Sequence, residues 1–249
     1  MNLKPVFRSL AAGLALAAVA GAAHAHQIWF EQAGNSITFR YGELDENLHE
    51  VSPGGLDRFR ALEARWVKAE GTAPLAMQKL QDGYAVPART AAGESLLAID
   101  NNYPMFDTRR DGKLLRTWWV PATRWVGDFS ARKAELPLDF VPTGAKRGDA
   151  VEFQLVYKGE PLAGEKVKLA TPSGWVKYAT TDADGKVAFA LPWKGNYVLG
   201  VYYTDEIEGV RGDEKYQLEG YNTSVSFNLA KGLAPLATAE RTLPATGKH

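Results

Sequence analysis

Short runs of alternating apolar and polar residues, each closed by glycine, proline or aspartate after about ten residues, restrict this chain to an antiparallel β fold. The pattern is cleanest in the second half. Ala150–Tyr157 (AVEFQLVY) alternates along its length, residues 158–162 (KGEPL) form a turn, and Lys166–Ala170 is a further strand. Residues 175–180 and 186–191 flank Asp182-Ala183-Asp184-Gly185, a composition suited to a tight hairpin turn. Residues 196–203 and 224–229 supply more strands around a charged stretch, 204–220, which reads either as a partner-contacting loop or as a long hairpin tip. With residues 136–142 leading into it, this unit is expected to be a β-sandwich of immunoglobulin or transthyretin type over 136–230.

The preceding segment, 26–135, is also expected to form a β domain, so the chain reads as all-β with two sandwich-like domains. Residues 36–41 (SITFRY) alternate, and Gly34-Asn35 ahead of them supplies a turn, so 26–32 and 36–41 pair as a hairpin. Periodicity is then lost over 42–55, an acidic loop with Glu43, Asp45, Glu46, His49 and Glu50 that ends in Ser52-Pro53-Gly54-Gly55. Residues 56–67 fit a short helix or a strand equally. Residues 83–86, 95–100 and 114–120 read as strands, and 101–113 as polar and turn-rich. After residue 230 the chain turns to Ala, Pro, Thr and Lys, and 231–249 is expected to be a flexible tail.

The amino end has the three parts of a secretory signal: Lys4 and Arg8, an uncharged apolar run from Leu10 to Ala23, and Ala23-His24-Ala25 as an Ala-x-Ala cleavage site. Nothing later approaches the ~18 apolar residues that a membrane span needs. The expectation is an exported chain of 224 residues, cleaved after Ala25 and not itself transmembrane. Cysteine is absent, which removes disulfides, thiolate metal sites and thiol catalysis together. The formal charge is zero over the whole chain, so no basic field exists to hold nucleic acid.

Cleavage after Ala25 makes His26 the first residue of the mature chain. A terminal amine has a pKa near 8, so part of it is neutral at pH 7 and able to ligate. Together with the ring Nδ1 it closes a six-membered chelate that suits Cu(II), Ni(II) or Co(II). His24 leaves with the signal, and His249 ends the tail. His49 lies in the acidic loop that the hairpin folds back towards residue 26. The expected metal ligands are therefore His26 and His49, with Glu43 as an oxygen donor. Against this, histidines and carboxylates in a loop are commonly just a solvated surface.

Seven tryptophans (29, 66, 118, 119, 125, 175 and 193) show no spacing that forces an exposed row for sugar stacking, and core packing is expected, with Trp29 pinning the new terminus. No serine stands in a strained elbow with a base and an orienting acid, and no pair of carboxylates is singled out for glycoside hydrolysis.

Two stretches carry a family resemblance. HQIWFEQ followed by YGELDENLHEVSPGGLDRF, and later VPTG, FQLVYKGEPLAGEKVKLATPSGW, TDADGKVAFALPW and GNYVLGVYYTD, resemble the exported proteins grouped as periplasmic components of cobalt and nickel uptake systems. The resemblance implies a periplasmic location, a carboxyl-terminal sandwich, and handling of nickel or cobalt ions at His26 with delivery to a membrane transporter. Many relatives place a histidine where this chain has Glu43. The expectation is a periplasmic metal-binding protein and not an enzyme. The alternatives are a copper-binding oxidase of polysaccharides with a terminal histidine, and a carbohydrate-binding or adhesion module.

Overall fold

The computed structural model describes residues 26–238, 240–242 and 244. The signal peptide expected over 1–25, with His24, lies outside the described residues, as does His249. In chain order the strands are β1 (Gln27–Ala33), β2 (Ser36–Glu43), β3 (Leu48–His49), β4 (Leu62–Lys68), β5 (Gly71–Pro74), β6 (Gln78–Lys79) and β7 (Tyr84–Val86). There follow β8 (Ser95–Asp100), β9 (Phe106–Arg110), β10 (Lys113–Val126), β11 (Leu138–Arg147), β12 (Ala150–Tyr157), β13 (Glu160–Pro161) and β14 (Lys166–Ala170). The last are β15 (Val176–Thr180), β16 (Lys186–Phe189), β17 (Gly195–Asp205), β18 (Gly209–Arg211), β19 (Glu214–Tyr216) and β20 (Leu218–Leu229). The described residues form no α-helix, only the short 3-10 turns Leu44–Glu46 and Gly55–Arg58. The all-β class is as the alternation predicts. Residues 56–67 resolve into such a turn followed by β4, and the charged stretch 204–220 is a hairpin tip, β18–β19.

A central sheet runs β15-β14-β17-β20-β10-β8-β4-β5, with β9 beside the first part of β10. On one face it packs against β11, β12, β13 and β16. Leu97, Val120, Leu169, Leu199, Val225 and Phe227 of the central sheet meet Phe140, Phe153, Leu155 and Phe189 of that outer layer. On the other face lies a sheet of β1-β2-β7-β6 with β3, whose Ile28, Phe30, Phe39 and Tyr41 pack on Leu96, Ala98, Trp119 and Trp125. Alternation explains how one sheet serves two cores: successive residues of β8 and β10 point to opposite faces, so adjacent apolar residues such as Leu96 and Leu97 enter different layers.

The boundary expected at residue 135 is crossed by this central sheet. Thr117–Trp125 of β10 pair in parallel with 218–226 of β20, so the two sandwiches share one sheet. A parallel pair requires a long crossover, and its intervening residues here form the outer layer and three strands of the central sheet, β14, β15 and β17. Pro121, a poor residue for a central strand because it lacks an N–H, sits just before β10 begins pairing with β8 at Ala122; on that edge β9 ends its pairing at Thr117.

β1 is the edge strand of its sheet, and its outward backbone is closed by side chains of the central sheet rather than by another strand. The Ser224 hydroxyl donates to Ile28 O at 2.7 Å, Phe30 N donates to Ser226 Oγ at 3.1 Å, and Gln32 N donates to Asn196 Oδ1 at 3.2 Å. The Asn196 amide returns a bond to Gln32 O at 2.8 Å. Trp29 points the other way and is fully buried against Leu44, Ala170 and Val198. The strand carrying His26 is thus fixed on both faces and along both edges.

Candidate functional site

Hairpin register builds the site. β1 and β2 join through Gly34-Asn35 with Ala33 opposite Ser36, and the ladder runs to Gln27 opposite Gly42. One step further places His26 beside Glu43. At the end of β2 the chain makes the 3-10 turn Leu44–Glu46 and returns as β3, with His49 opposite Gly42 and Leu48 opposite Glu43. Glu50 N then donates to Tyr41 O at 2.8 Å. Gly42 permits this close return: its φ is 143°, and a Cβ there would stand 2.1 Å from Leu48 O.

Strand alternation then divides the expected ligands. Residues 26, 41, 43 and 50 share one face, while 27, 29, 42 and 49 share the other. On the first face the imidazole of His26 lies between two carboxylates. Its Nε2 is 2.8 Å from Glu50 Oε1 and its Nδ1 is 3.4 Å from Glu43 Oε1. Both carboxylates are buried, whereas the ring keeps 29% of its side-chain surface and packs on Tyr41 at a centroid distance of 5.2 Å. The structure therefore brings His26 and Glu43 together and adds Glu50, which was not among the expected ligands.

His49 is not in that group. Its ring lies edge-on to Trp29, centroids 5.4 Å apart, on the opposite face of the sheet. It is buried, neither ring nitrogen has a hydrogen-bond partner, and burial lowers its pKa from the ordinary histidine value. A neutral imidazole is the ligating form, but here it points away from His26 because β3 is one residue out of phase with that role.

The polar wall behind His26 is built to hold Glu50. Its Oε2 is buried without a hydrogen-bond partner, and a Cβ on Gly55 would stand 2.3 Å from that oxygen, so only glycine lets the carboxylate lie against the backbone. Tyr41 and Tyr103 share a hydrogen bond of 2.8 Å, and burial pushes the Tyr41 hydroxyl well above the ordinary phenol range, so it stays protonated. Phe59 and Trp119 close the aromatic floor.

Chemically, this is an arrangement around a cation. If Nε2–H donates to Glu50, the neutral ring turns a lone pair on Nδ1 towards Glu43 Oε1, which is favourable only with a proton or a metal ion between them. Two donors held at about 2.1 Å by one ion lie about 3.0–3.4 Å apart for right-angled to tetrahedral coordination, and the observed spacing falls at the wide end. Among the described residues no group of three or more His, Asp or Glu side chains is placed to hold a metal ion. The reason is local: Glu43 and Glu50 face different ring nitrogens, so a single ion meets only Nδ1 and Glu43, and a third donor has to come from elsewhere.

None of the seven tryptophans is exposed. Trp175 and Trp193 pack on each other, Trp119 and Trp125 lie in the core, and no flat aromatic row is presented.

Residues 122–205 match the family model of a domain of unknown function, DUF4198. The match runs from the second half of β10 through β17 and includes none of His26, Glu43, His49 or Glu50. No curated protein matches the chain.

Proposed function

We propose that the protein is exported to the periplasm, begins at His26 once processed, and captures a divalent transition-metal ion, nickel or cobalt, as cargo for a membrane uptake system. The observation that carries this reading is the placement of one half-exposed imidazole between two buried carboxylates at the start of the first strand. The terminal amine and Nδ1 of His26 chelate the ion, and Glu43 adds an oxygen and neutralising charge. Glu50 accepts from Nε2–H and fixes the tautomer in which Nδ1 faces the ion, the carboxylate–histidine pairing usual around metal sites. Coordination that includes the α-amine supplies the donor that the side chains lack. The resemblance of the sequence to components of cobalt and nickel uptake favours these metals, and nitrogen-rich donors with one carboxylate suit them.

The test is calorimetric titration of the processed chain with Ni(II) and Co(II). His26→Ala, or one extra residue ahead of His26, is expected to abolish tight binding. Glu50→Ala is expected to weaken it by about 10–100-fold through loss of ring orientation. Equal affinity for the extended and authentic chains would remove the amine from the site and end this reading.

A further inference from the structure

The side-chain ladder that closes the outer edge of β1 has a fixed register on β20. Ile28 meets Ser224 and Phe30 meets Ser226, with β1 and β20 running in the same direction. Two residues on, Gln32 meets Asn196, which is itself paired with Asn228 and accepts from its amide at 2.9 Å. Each step of two along β1 is a step of two along β20. In β1 the even residues direct N–H and C=O away from β2, because the odd ones make the ladder bonds. Continued by one step, the register sets residue 26 against Asn222.

Asn222 is where the ladder is incomplete. It lies on the same face of β20 as Ser224 and Ser226, since Tyr221, Val225 and Phe227 point into the opposite core. Its side chain is buried, at 5% exposure, and its Oδ1 has no hydrogen-bond partner. Its neighbour on β10 is Pro121, which has no N–H to give. A buried amide oxygen left without a donor forfeits its hydration with nothing in return, so a partner is expected.

We infer that Asn222 Oδ1 receives the α-amine of the processed chain, making Asn222 the residue that positions the terminal nitrogen. An internal amide presents one N–H in a fixed plane. A terminal amine rotates and carries two N–H donors and a lone pair when neutral, so it donates to Asn222 while its lone pair remains for a ligand. This rests on the proposed start at His26 and deepens the proposed capture of a metal, but it is read without one.

The experiment uses the exported, processed protein without metal and measures acetylation of the α-amine at neutral pH by mass spectrometry of the amino-terminal peptide. The amine of the wild type is expected to react about tenfold more slowly than that of Asn222→Ala, the equivalent of one hydrogen bond. Asn222→Asp, which keeps the acceptor oxygen, is expected to restore protection. Asn222→Leu, close in volume, replaces the alanine variant if that one fails to fold. Equal rates in wild type and the Ala or Leu variant overturn the inference, as does an exported chain that begins anywhere but His26. Nickel titration of the same proteins separates the two claims. A protected amine with no nickel uptake leaves Asn222 in its role and removes metal capture. Nickel uptake unaffected by Asn222→Ala, with unchanged acetylation, does the reverse.

Discussion

His49 shows how one residue's burial becomes a property of the whole protein. Glu31 from β1, Arg40 from β2, Asp82 ahead of β7 and Arg241 near the carboxyl end surround it electrostatically, but burial dominates and lowers its pKa. A histidine held neutral in the fold titrates near 6.5 once unfolded, so above that pH it contributes no pH dependence. As the pH falls below 6.5 the unfolded chain takes up a proton that the folded one resists, and stability is lost until the lowered folded pKa is reached. The slope from this one site is at most about 1.4 kcal/mol per pH unit. His49→Phe is expected to flatten that part of the profile, measured as urea midpoints of both proteins between pH 7.5 and 5. Identical slopes would mean that His49 finds a proton partner in the fold.

At the scale of elements, the return of β3 onto β2 decides the site. Only two residues of β3 pair, yet they set which side chains join His26. Lys168 of β14 holds the turn through Asp45 at 2.9 Å, and Thr242 adds bonds to Asn47 O and Glu46 O at 3.0 Å each. The tightest point is Gly42, where any Cβ meets the Leu48 carbonyl. Gly42→Ala is therefore expected to cost about 2–3 kcal/mol in denaturant unfolding and to detach β3. Hydrogen exchange at Glu50 N, which is bonded to Tyr41 O, should rise in that variant, whereas exchange in β12 should not.

At the scale of the molecule, the central sheet draws strands from both halves, and a buried ion pair marks the joint. Arg124 of β10 and Asp139 of β11 are both fully buried. The guanidinium donates from Nε to Asp139 Oδ1 at 3.0 Å and from Nη1 to Ser95 Oγ at 2.9 Å, while Asp139 Oδ2 also accepts from Glu135 N at 2.8 Å. The segment between the strands is thereby tied to the sheet. Removing one partner leaves a buried charge unpaired, so Asp139→Ala is expected to destabilise by about 3–5 kcal/mol, with both halves melting together. The double replacement Arg124→Met with Asp139→Leu is expected to recover most of that loss. Separate transitions for the two halves would contradict a shared core.

Local order was readable from the residues alone. Alternation located β12 at its observed bounds, residues 95–100 were recognisable as the strand β8, and the Gly34-Asn35 turn marked the hairpin that brings the acidic loop back towards His26. Three-dimensional packing decided the remainder. Whether 49 or 50 faces His26 depends on one 3-10 turn, whose length no periodicity encodes, and that is why His49 was expected where Glu50 stands. The pairing of β10 with β20 joins residues about a hundred positions apart, and Asn222 acquires a meaning only when that pairing lays β20 beneath the first strand. Period-two alternation is a property of each strand by itself; which strands meet, and in what phase, is settled by the cores they bury together.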